Sequence, residues 1–228
     1  MKTNEELTNL ISFWDTALKM DEEYRQGIKE YVNDDNWNEF APSPKLLEAL
    51  KLIKDKDNVL DYGCGNAWAT LALAKMGAKN VKGVDTSKEG IFSGKFLLEI
   101  YSAKAELEVI DEYWLNKQKE NQYDAAITSN VLDVLPIEFS KDIIIGLHNI
   151  LKKDATLIVG LNYYVDSKIR ELKDGKYLYV DGVLRLLSLS DDEWKELFAP
   201  YFDVVSLSYF SWPGEAKEAR RLFVLKNK

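Results

Sequence analysis

The feature that most constrains the fold of this chain is an apolar segment that ends in a turn with two close glycines. Residues 58–65 read NVLDYGCG, and a helical pattern from Ala69 to Met76 follows. Because glycine has no Cβ, Gly63 and Gly65 allow a sharp turn and a close approach of the backbone to a ligand. A strand, a tight turn and a helix in this order predict a nucleotide-sized pocket at the carboxyl end of a parallel strand.

A carboxylate follows the glycine turn at a sequence spacing that is typical of a ribose-binding residue. Residues 81–85 read VKGVD, a second strand pattern that ends in Asp85. Asp85 comes about 20 residues after the glycine turn, where nucleotide-binding folds place an acidic residue on the ribose hydroxyls. The spacing therefore makes Asp85 the candidate ribose ligand.

The residues around the turn distinguish between adenosine cofactors. Dinucleotide sites use G-x-G-x-x-G, in which the third glycine lets the helix pack close to the strand, but Trp68 occupies that position here. The chain contains no G-x-x-x-x-G-K-[ST] phosphate loop. Asp61, just before the turn, can face the amino group of an amino-acid ligand. A cofactor with adenosine at one end and an amino acid at the other, S-adenosylmethionine, fits this pattern.

Four segments of the chain carry a family resemblance. They are the glycine turn at 59–65, GVDTS at 83–87, Ile110-Asp111, and YDAAITSNVL at 123–132. In these segments, and over residues 59–162 as a whole, the chain resembles the class I, Rossmann-like S-adenosylmethionine-dependent methyltransferases. Two departures are Ala67, where many members have a third glycine, and KKDA at 152–155, where a Lys-Pro-Gly-Gly turn is common.

The alternation of strand and helix patterns predicts an α/β domain with a parallel sheet and helices on both faces. The resemblance implies a Rossmann-like three-layer sandwich with a seven-stranded, mostly parallel sheet, an antiparallel last strand and an N-terminal helical cap. We expect one domain over residues 1–228. It divides into an N-terminal extension or lid (1–55), a cofactor-binding core (56–162), and a substrate-side insertion with the C-terminal strands (163–228).

The individual elements follow from periodicity and from turn residues. Leu7, Leu10, Ile11, Trp14 and Leu18 have helical spacing. Residues 162–188 are expected to be irregular. The remaining predicted helices are 22–32, 45–53, 67–76, 88–101, 139–151 and 190–199, and the predicted strands are 58–62, 81–85, 107–110, 125–129, 156–161, 202–210 and 221–225.

The resemblance and the turn together give a set of candidate site residues. Asn130 and Asp133 are the candidates to face the methyl acceptor, although Asp133 can equally begin the turn before Pro136. An aromatic cap over the substrate is predicted from Trp14, Trp37, Tyr163, Tyr164, Arg185 and Trp212, with core packing, or an ion pair for Arg185, as the alternative. The predicted cofactor contacts are Asp61, Gly63, Gly65, Asn66, Asp85, Thr86, Asp111, Ser129, Asn130 and Val131.

Composition excludes several other classes of function. With 30 Lys and Arg against 38 Asp and Glu, the formal net charge is −8, which disfavours a phosphate-backbone binder. Cys64 and His148 are the only cysteine and histidine, so neither a disulfide nor a clustered metal site is predicted. The first residues are polar and charged rather than an apolar signal segment, and no apolar run reaches transmembrane length. A cytoplasmic protein without membrane contact is expected.

The predicted function is methyl transfer from S-adenosylmethionine to a small-molecule acceptor by direct in-line displacement. Such a reaction depends mainly on orientation, and only an alcohol or carbon acid needs a base. A protein side chain is the less favoured acceptor. Two alternatives to methyl transfer also remain: a catalytically silent, regulatory S-adenosylmethionine-binding protein, and a nicotinamide-dependent oxidoreductase. Trp68 and the predicted C-terminal strand pair disfavour the latter. The residues do not determine the acceptor or the oligomeric state.

Overall fold

The computed structural model describes residues 2–33 and 36–228, with side chains from residue 6 onward. The helices are α1 (Lys2–Ala17), α2 (Glu22–Tyr31), α3 (Pro44–Leu50), α4 (Trp68–Lys75), α5 (Lys88–Ile100), α6 (Ile137–Ile150) and α7 (Asp191–Phe198). The strands are β1 (Asn58–Tyr62), β2 (Asn80–Asp85), β3 (Glu106–Val109), β4 (Tyr123–Ser129), β5 (Leu151–Leu161), β6 (Tyr177–Val180), β7 (Val183–Leu187), β8 (Phe202–Phe210) and β9 (Arg220–Asn227).

Seven of the strands form one sheet in the order β3-β2-β1-β4-β5-β9-β8. The first five strands in this order run parallel to one another, whereas β9 lies antiparallel to both β5 and β8. The predicted antiparallel pairing of the two C-terminal strands is therefore confirmed. With the chain crossing over at β1 and β4, the carboxyl ends of these two strands flank the crevice in which such folds bind ligands.

Helices cover both faces of the sheet, as the three-layer prediction requires. Neighbouring residues of β1 show the division, because Leu60 belongs to the core shared with α6 and α7, whereas Val59 belongs to the core shared with α3 and α4. Successive strand residues point to opposite faces, so a strand that is apolar throughout is buried on both sides. The α/β fold class predicted from the sequence is confirmed.

Helix α1 lies across the carboxyl ends of the strands and is fastened to two neighbouring elements. Asp15 accepts hydrogen bonds from Ser87 Oγ at 2.8 Å and from Glu89 N at 2.9 Å, both at the start of α5. The Arg185 guanidinium of β7 lies 4.3 Å from the centroid of the Phe13 ring. The N-terminal segment thus forms the expected helical cap.

The stretch predicted to be irregular contains a hairpin, so that prediction was wrong. Strands β6 and β7 pair antiparallel around Asp181 and Gly182, which have φ angles of 51° and 77°. Two positive φ angles at the centre of a two-residue turn match the right-handed twist of the flanking strands, and Asp-Gly is a preferred sequence for them. The signal was therefore present in residues 177–187, YLYVDGVLRLL, but was missed.

Several element boundaries also differ from their predictions, among them the starts of β5 and α6. Strand β5 begins at Leu151 rather than Thr156, because Asn227 Nδ2 donates to the carbonyls of Leu151 and Lys152 and holds this segment against the C-terminus. Helix α6 begins at Ile137, directly after Pro136. In the described part of the chain, no helix combines the length and the apolar character needed to cross a membrane.

Candidate active site

A pocket of about 450 Å³ opens at the carboxyl ends of β1, β2 and β4 and is roofed by α1. Its volume lies in the range of small-molecule sites. Of the residues predicted to form the site, the pocket is lined by Trp14, Gly63, Gly65, Asn66, Asp85, Thr86, Ser129, Asn130, Val131 and Trp212.

The glycine turn leaves no room for a side chain at Gly63 and has a left-handed backbone at both glycines. A Cβ at Gly63, where φ is +71°, would lie 2.2 Å from Val131 Cγ2. Gly65 has φ +53°, and its amide donates to Asp85 Oδ2 at 2.8 Å. The two glycines therefore let the turn approach both the end of β4 and the carboxylate of β2.

Asp85 is fixed by backbone amides at the edge of the pocket. Its Oδ1 accepts from Ser87 N at 2.8 Å, while Oδ2 accepts from Gly65 N. Burial raises the pKa of this carboxyl group, and the backbone amides oppose that shift by stabilising the ionised form. Each carboxylate oxygen retains a further lone pair for a ligand hydroxyl.

Asp61 lies beneath the turn instead of in the pocket lining. It is 3% exposed, and its Oδ2 accepts from Thr70 N at 3.0 Å and from Thr70 Oγ1 at 2.7 Å. Helix α4 begins after Ala67, whose side chain cannot cap it, so Asp61 satisfies one of the free amides of the first turn. Burial raises the pKa of Asp61 to about 7. The structure thus gives Asp61 a structural role that the sequence did not indicate.

Asn130 and Asp133, the two candidates for the acceptor side, are separated by the structure. Asn130 lines the pocket with φ +58°, and its Nδ2 donates to Asn162 Oδ1 at 2.8 Å. Asp133 is fully buried, does not line the pocket, and accepts a short hydrogen bond from Asn162 N. Burial raises its pKa to about 6. Asp133 therefore supports the wall that carries Asn130 and does not face an acceptor.

The third strand ends differently from the prediction. Asp111 is exposed and pairs with Lys117 Nζ, whose hydrogen bond lowers the pKa of the carboxyl group. The pocket is instead lined by the residues on either side of it, Ile110 and Glu112. In a short strand, a shift of one residue is enough to turn a side chain away from the ligand.

The predicted aromatic cap forms only in part. Trp14 and Trp212 line the pocket, but Trp37 packs against the hydrophobic clusters of α3 and α5. Tyr163 and Tyr164 are 39% and 49% exposed and lie outside the lining. The predicted substrate contact of Arg185 is likewise replaced by stacking on Phe13 and Trp14.

Most of the lining that the sequence did not identify is apolar. The helical spacing of α1 predicts an amphipathic helix but does not show that it roofs the pocket, and Trp68 argues against a pyrophosphate site without indicating that it lines this one. The lining residues missed as such are Leu7, Leu10, Ile11, Leu18, Phe40, Pro42, Tyr62, Cys64, Trp68, Ile110, Glu112, Tyr113, Leu115, Asn116, Val134, Leu135, Phe139, Asp142, Ile143.

A family model described as a methyltransferase domain matches residues 53–201, more than half of the chain. The chain belongs to this methyltransferase family. The match spans the glycine turn, Asp85 and the end of β4, and it confirms the predicted methyltransferase family. The methyltransferase fold also provides the crevice into which the turn and the carboxylate project.

Individual relatives agree with this assignment. The chain is 32% identical over 132 residues to the ribosomal protein L11 methyltransferase of Thermosipho africanus. The aligned region covers 58% of this chain and 46% of the relative. The chain is also 26% identical over 161 residues to the mitochondrial ubiquinone biosynthesis O-methyltransferase of Dictyostelium discoideum. That alignment covers 64% of this chain and 48% of the relative. The chain thus spans about half the length of the curated relatives it matches.

A solved structure of similar fold contains both a ligand and a cofactor product. The Burkholderia thailandensis 1,6-didemethyltoxoflavin-N1-methyltransferase, with 1,6-didemethyltoxoflavin and S-adenosylhomocysteine bound, superposes with a TM-score of 0.63 and is 18% identical. The alignment covers 85% of this chain and 81% of that one. At this identity the likeness supports the fold alone.

Proposed function

We propose that this methyltransferase transfers the methyl group of S-adenosylmethionine to a small, mainly apolar acceptor without a negative charge, by direct displacement. The observation that carries the proposal is the pocket, in which a glycine turn and a fixed carboxylate adjoin an apolar chamber closed by α1. A cytoplasmic location remains a prediction that rests on the single cysteine.

The residues of the turn suit the cofactor in shape and in polarity. Gly63, Gly65 and Asn66 would hold its amino-acid end, and Asp85 with Thr86 would hold the ribose. The turn requires a residue without a Cβ at Gly63, because a Cβ there would collide with Val131. Ile110 and Glu112 would flank the adenine in place of the predicted Asp111. When bound, S-adenosylmethionine supplies a methyl group on a positively charged sulfur.

The chamber beside the turn sets the class of acceptor. Its walls include Leu10, Trp14, Phe40 and Trp212. Among the described residues that line the pocket, none is a lysine, arginine or histidine, so an acceptor carboxylate or phosphate would be buried without a counter-charge. A roofed chamber of this size favours a small molecule over a folded protein substrate.

The protein contributes to the reaction by orienting the cofactor and the acceptor and by excluding water from the pocket. Holding two reactants in line converts a bimolecular step into one within a complex and supplies much of the rate enhancement. Burial raises the pKa of both the Cys64 thiol and the Tyr62 hydroxyl, so neither provides an anionic nucleophile or base near neutral pH. An acceptor that is already nucleophilic, such as a neutral nitrogen, suits this arrangement.

The first experiment is calorimetric titration with S-adenosylhomocysteine, with NAD as the parallel ligand. We expect one-to-one binding of S-adenosylhomocysteine alone. Asp85→Ala should weaken it at least about tenfold, because the variant loses the carboxylate and frees the amide of Gly65. Asp111→Ala, which removes a carboxylate outside the lining, is the matched control and should bind like the parent. Binding of NAD, or equal effects of the two variants, would overturn the assignment.

An inactive, cofactor-binding regulator is tested separately. If S-adenosylhomocysteine binds but no acceptor of the proposed class is methylated, the silent alternative takes precedence. Methylation of a peptide in preference to small molecules would contradict the acceptor class while leaving the cofactor intact.

A further inference from the structure

The side chain that follows β4 is held by a residue that does not itself touch the pocket. Asn130 lines the pocket and is half-buried, whereas Asn162, directly after β5, lies outside the lining. Asn130 Nδ2 donates to Asn162 Oδ1 at 2.8 Å, and the Asn130 backbone amide donates to the carbonyl of Gly160 at 2.8 Å. Both the side chain and the backbone of Asn130 are thus tied to the end of β5.

Asn162 is held in turn through its backbone. Its N–H donates to Asp133 Oδ2, and its carbonyl accepts from Arg221 Nε at 3.0 Å. Asp133 and Arg221 are both buried and are enclosed by the packed interior of the protein. The side chain of Asn162 therefore projects from a backbone that is fixed on both its donor and its acceptor.

Arg220 determines which ends of the two amides face each other. Its Nη1 donates to Asn162 Oδ1, and a guanidinium group has donors only. The atom of Asn162 that meets Arg220 must therefore be the oxygen, so the atom of Asn130 that shares this oxygen must be the nitrogen. Arg220 is itself fixed, because its Nε and Nη2 donate to the two carboxylate oxygens of Glu215 at 2.7 and 2.5 Å. The orientation of the Asn130 amide is thus set by hydrogen-bond chemistry rather than by shape alone.

The same arrangement leaves the oxygen of Asn130 on the pocket side. Asn130 Oδ1 accepts from Ser129 Oγ at 3.2 Å, and Ser129 also lines the pocket. An amide oxygen has two lone pairs, so Oδ1 can accept a second hydrogen bond. A Cβ at Gly63 would lie 2.2 Å from the side chain of Val131, the residue after Asn130. Asn130 therefore lies beside the turn that we propose to hold the amino-acid end of the cofactor.

We propose that Asn162 is a positioning residue. Together with Arg220 it holds the Asn130 amide with Oδ1 toward the reacting end of the pocket, where that oxygen accepts a hydrogen bond from an N–H group of the acceptor. This inference rests on the proposed function and narrows its acceptor class to a molecule whose nucleophilic nitrogen carries a hydrogen. A hydrogen bond through that hydrogen fixes the direction of the nitrogen, and in-line transfer depends on such orientation.

The test compares two cofactor analogues that differ at the reacting end. S-adenosylhomocysteine lacks the transferred methyl group, whereas sinefungin carries an amine at that position. Both are titrated into the full chain by calorimetry, and the dissociation constant of S-adenosylhomocysteine divided by that of sinefungin measures the preference for a hydrogen-bond donor there. Asn130→Gly removes the amide and tolerates the φ angle of 58°, and Asn162→Ala removes the support of that amide. Each should lower this ratio at least about fivefold.

Three further variants separate positioning from a general loss of stability. Asn162→Asp keeps an oxygen for both donors and should hold the ratio at the parent value or above it. Asn162→Ala added to Asn130→Gly should lower the ratio no further, because Asn162 acts only through Asn130. Asn227→Ala is the matched control. Asn227 is buried and donates to the carbonyls of Leu151 and Lys152 at the opposite end of β5, so this variant should lose stability and keep the parent ratio.

The outcomes separate this inference from the proposed function. An unchanged ratio in Asn162→Ala, a further fall in the double variant, an equal fall in Asn227→Ala, or a parent that binds S-adenosylhomocysteine but not sinefungin would each overturn the inference. Failure of the parent to bind S-adenosylhomocysteine would overturn the proposed function. The side-chain NH₂ signals of Asn130 in NMR spectra of the cofactor-free protein, identified by their absence in Asn130→Gly, then decide on the positioning role. Their exchange with water should be at least about fivefold faster in Asn162→Ala, and an unchanged rate would overturn that role.

Discussion

The buried carboxyl group beneath the glycine turn makes the stability of the protein depend on pH. Burial raises the pKa of Asp61 from 3.8 to about 7. Since the folded state binds the proton more tightly than the unfolded chain, folding stability is greatest below the unfolded pKa and is lost as the pH rises towards 7. Asp61→Asn keeps an oxygen for the two donors of Thr70 but cannot ionise, so it should abolish this dependence.

The size of the effect follows from the two pKa values. Each pH unit between them costs about 1.4 kcal/mol of unfolding free energy, and the slope fades above the folded pKa. From about pH 5 to about pH 8, this group alone removes about 2 to 3 kcal/mol. The stability of Asp61→Asn relative to the parent should therefore increase by that amount over the same interval. Groups common to both proteins cancel in the difference.

Urea unfolding of the cofactor-free protein, followed by circular dichroism at both pH values, measures this quantity. Asp55→Asn is the control, because the Asp55 side chain is 83% exposed and its replacement should change stability by less than about 0.5 kcal/mol at either pH. A stability difference between Asp61→Asn and the parent that is the same at both pH values would refute the reasoning.

Two further predictions concern the turn and the roof. Gly63→Ala places a Cβ 2.2 Å from Val131 Cγ2. Thermal melting should show that it lowers stability by about 1 to 3 kcal/mol, and calorimetry should show at least about tenfold weaker binding of S-adenosylhomocysteine. Gly77→Ala shares the positive φ but meets nothing within 4 Å, so it should lower stability less and leave affinity unchanged. Asp15→Ala removes the acceptor for Glu89 N, so it should speed hydrogen exchange in α1 and weaken cofactor binding about tenfold. An unchanged exchange rate would contradict the conclusion that Asp15 holds α1 against α5.

The sequence was most informative where local geometry and chemistry coincide. The turn at Gly63 and Gly65 needs residues without a Cβ, and Asp85 follows at a fixed spacing, so the residue pattern alone places both. The alternation of strands and helices likewise predicted the parallel sheet, whereas its antiparallel last strand was implied by the family resemblance. Each of these features is determined within a few residues of the chain.

The parts that failed depend on contacts between distant segments. Whether Asp61 faces a ligand or caps α4 depends on the packing of Thr70 against β1, which no local pattern reports. The fate of Asp111 depends on the register of a four-residue strand. The position of Trp212 depends on Arg220 and Glu215, which contact it from behind the pocket. The missed hairpin at residues 177–187 is different, because its Asp-Gly signal was local.

The docking of α1 has a consequence for the order in which the protein folds. The roof is joined to α5 across 72 residues of chain, by Asp15 and Ser87, and to β6 across 173 residues, by Glu6 and Tyr179. Closing such long loops is entropically costly, so these contacts form after the local βα units of the sheet. The chain therefore assembles the floor of its binding site before α1, which precedes the sheet in the sequence, covers it.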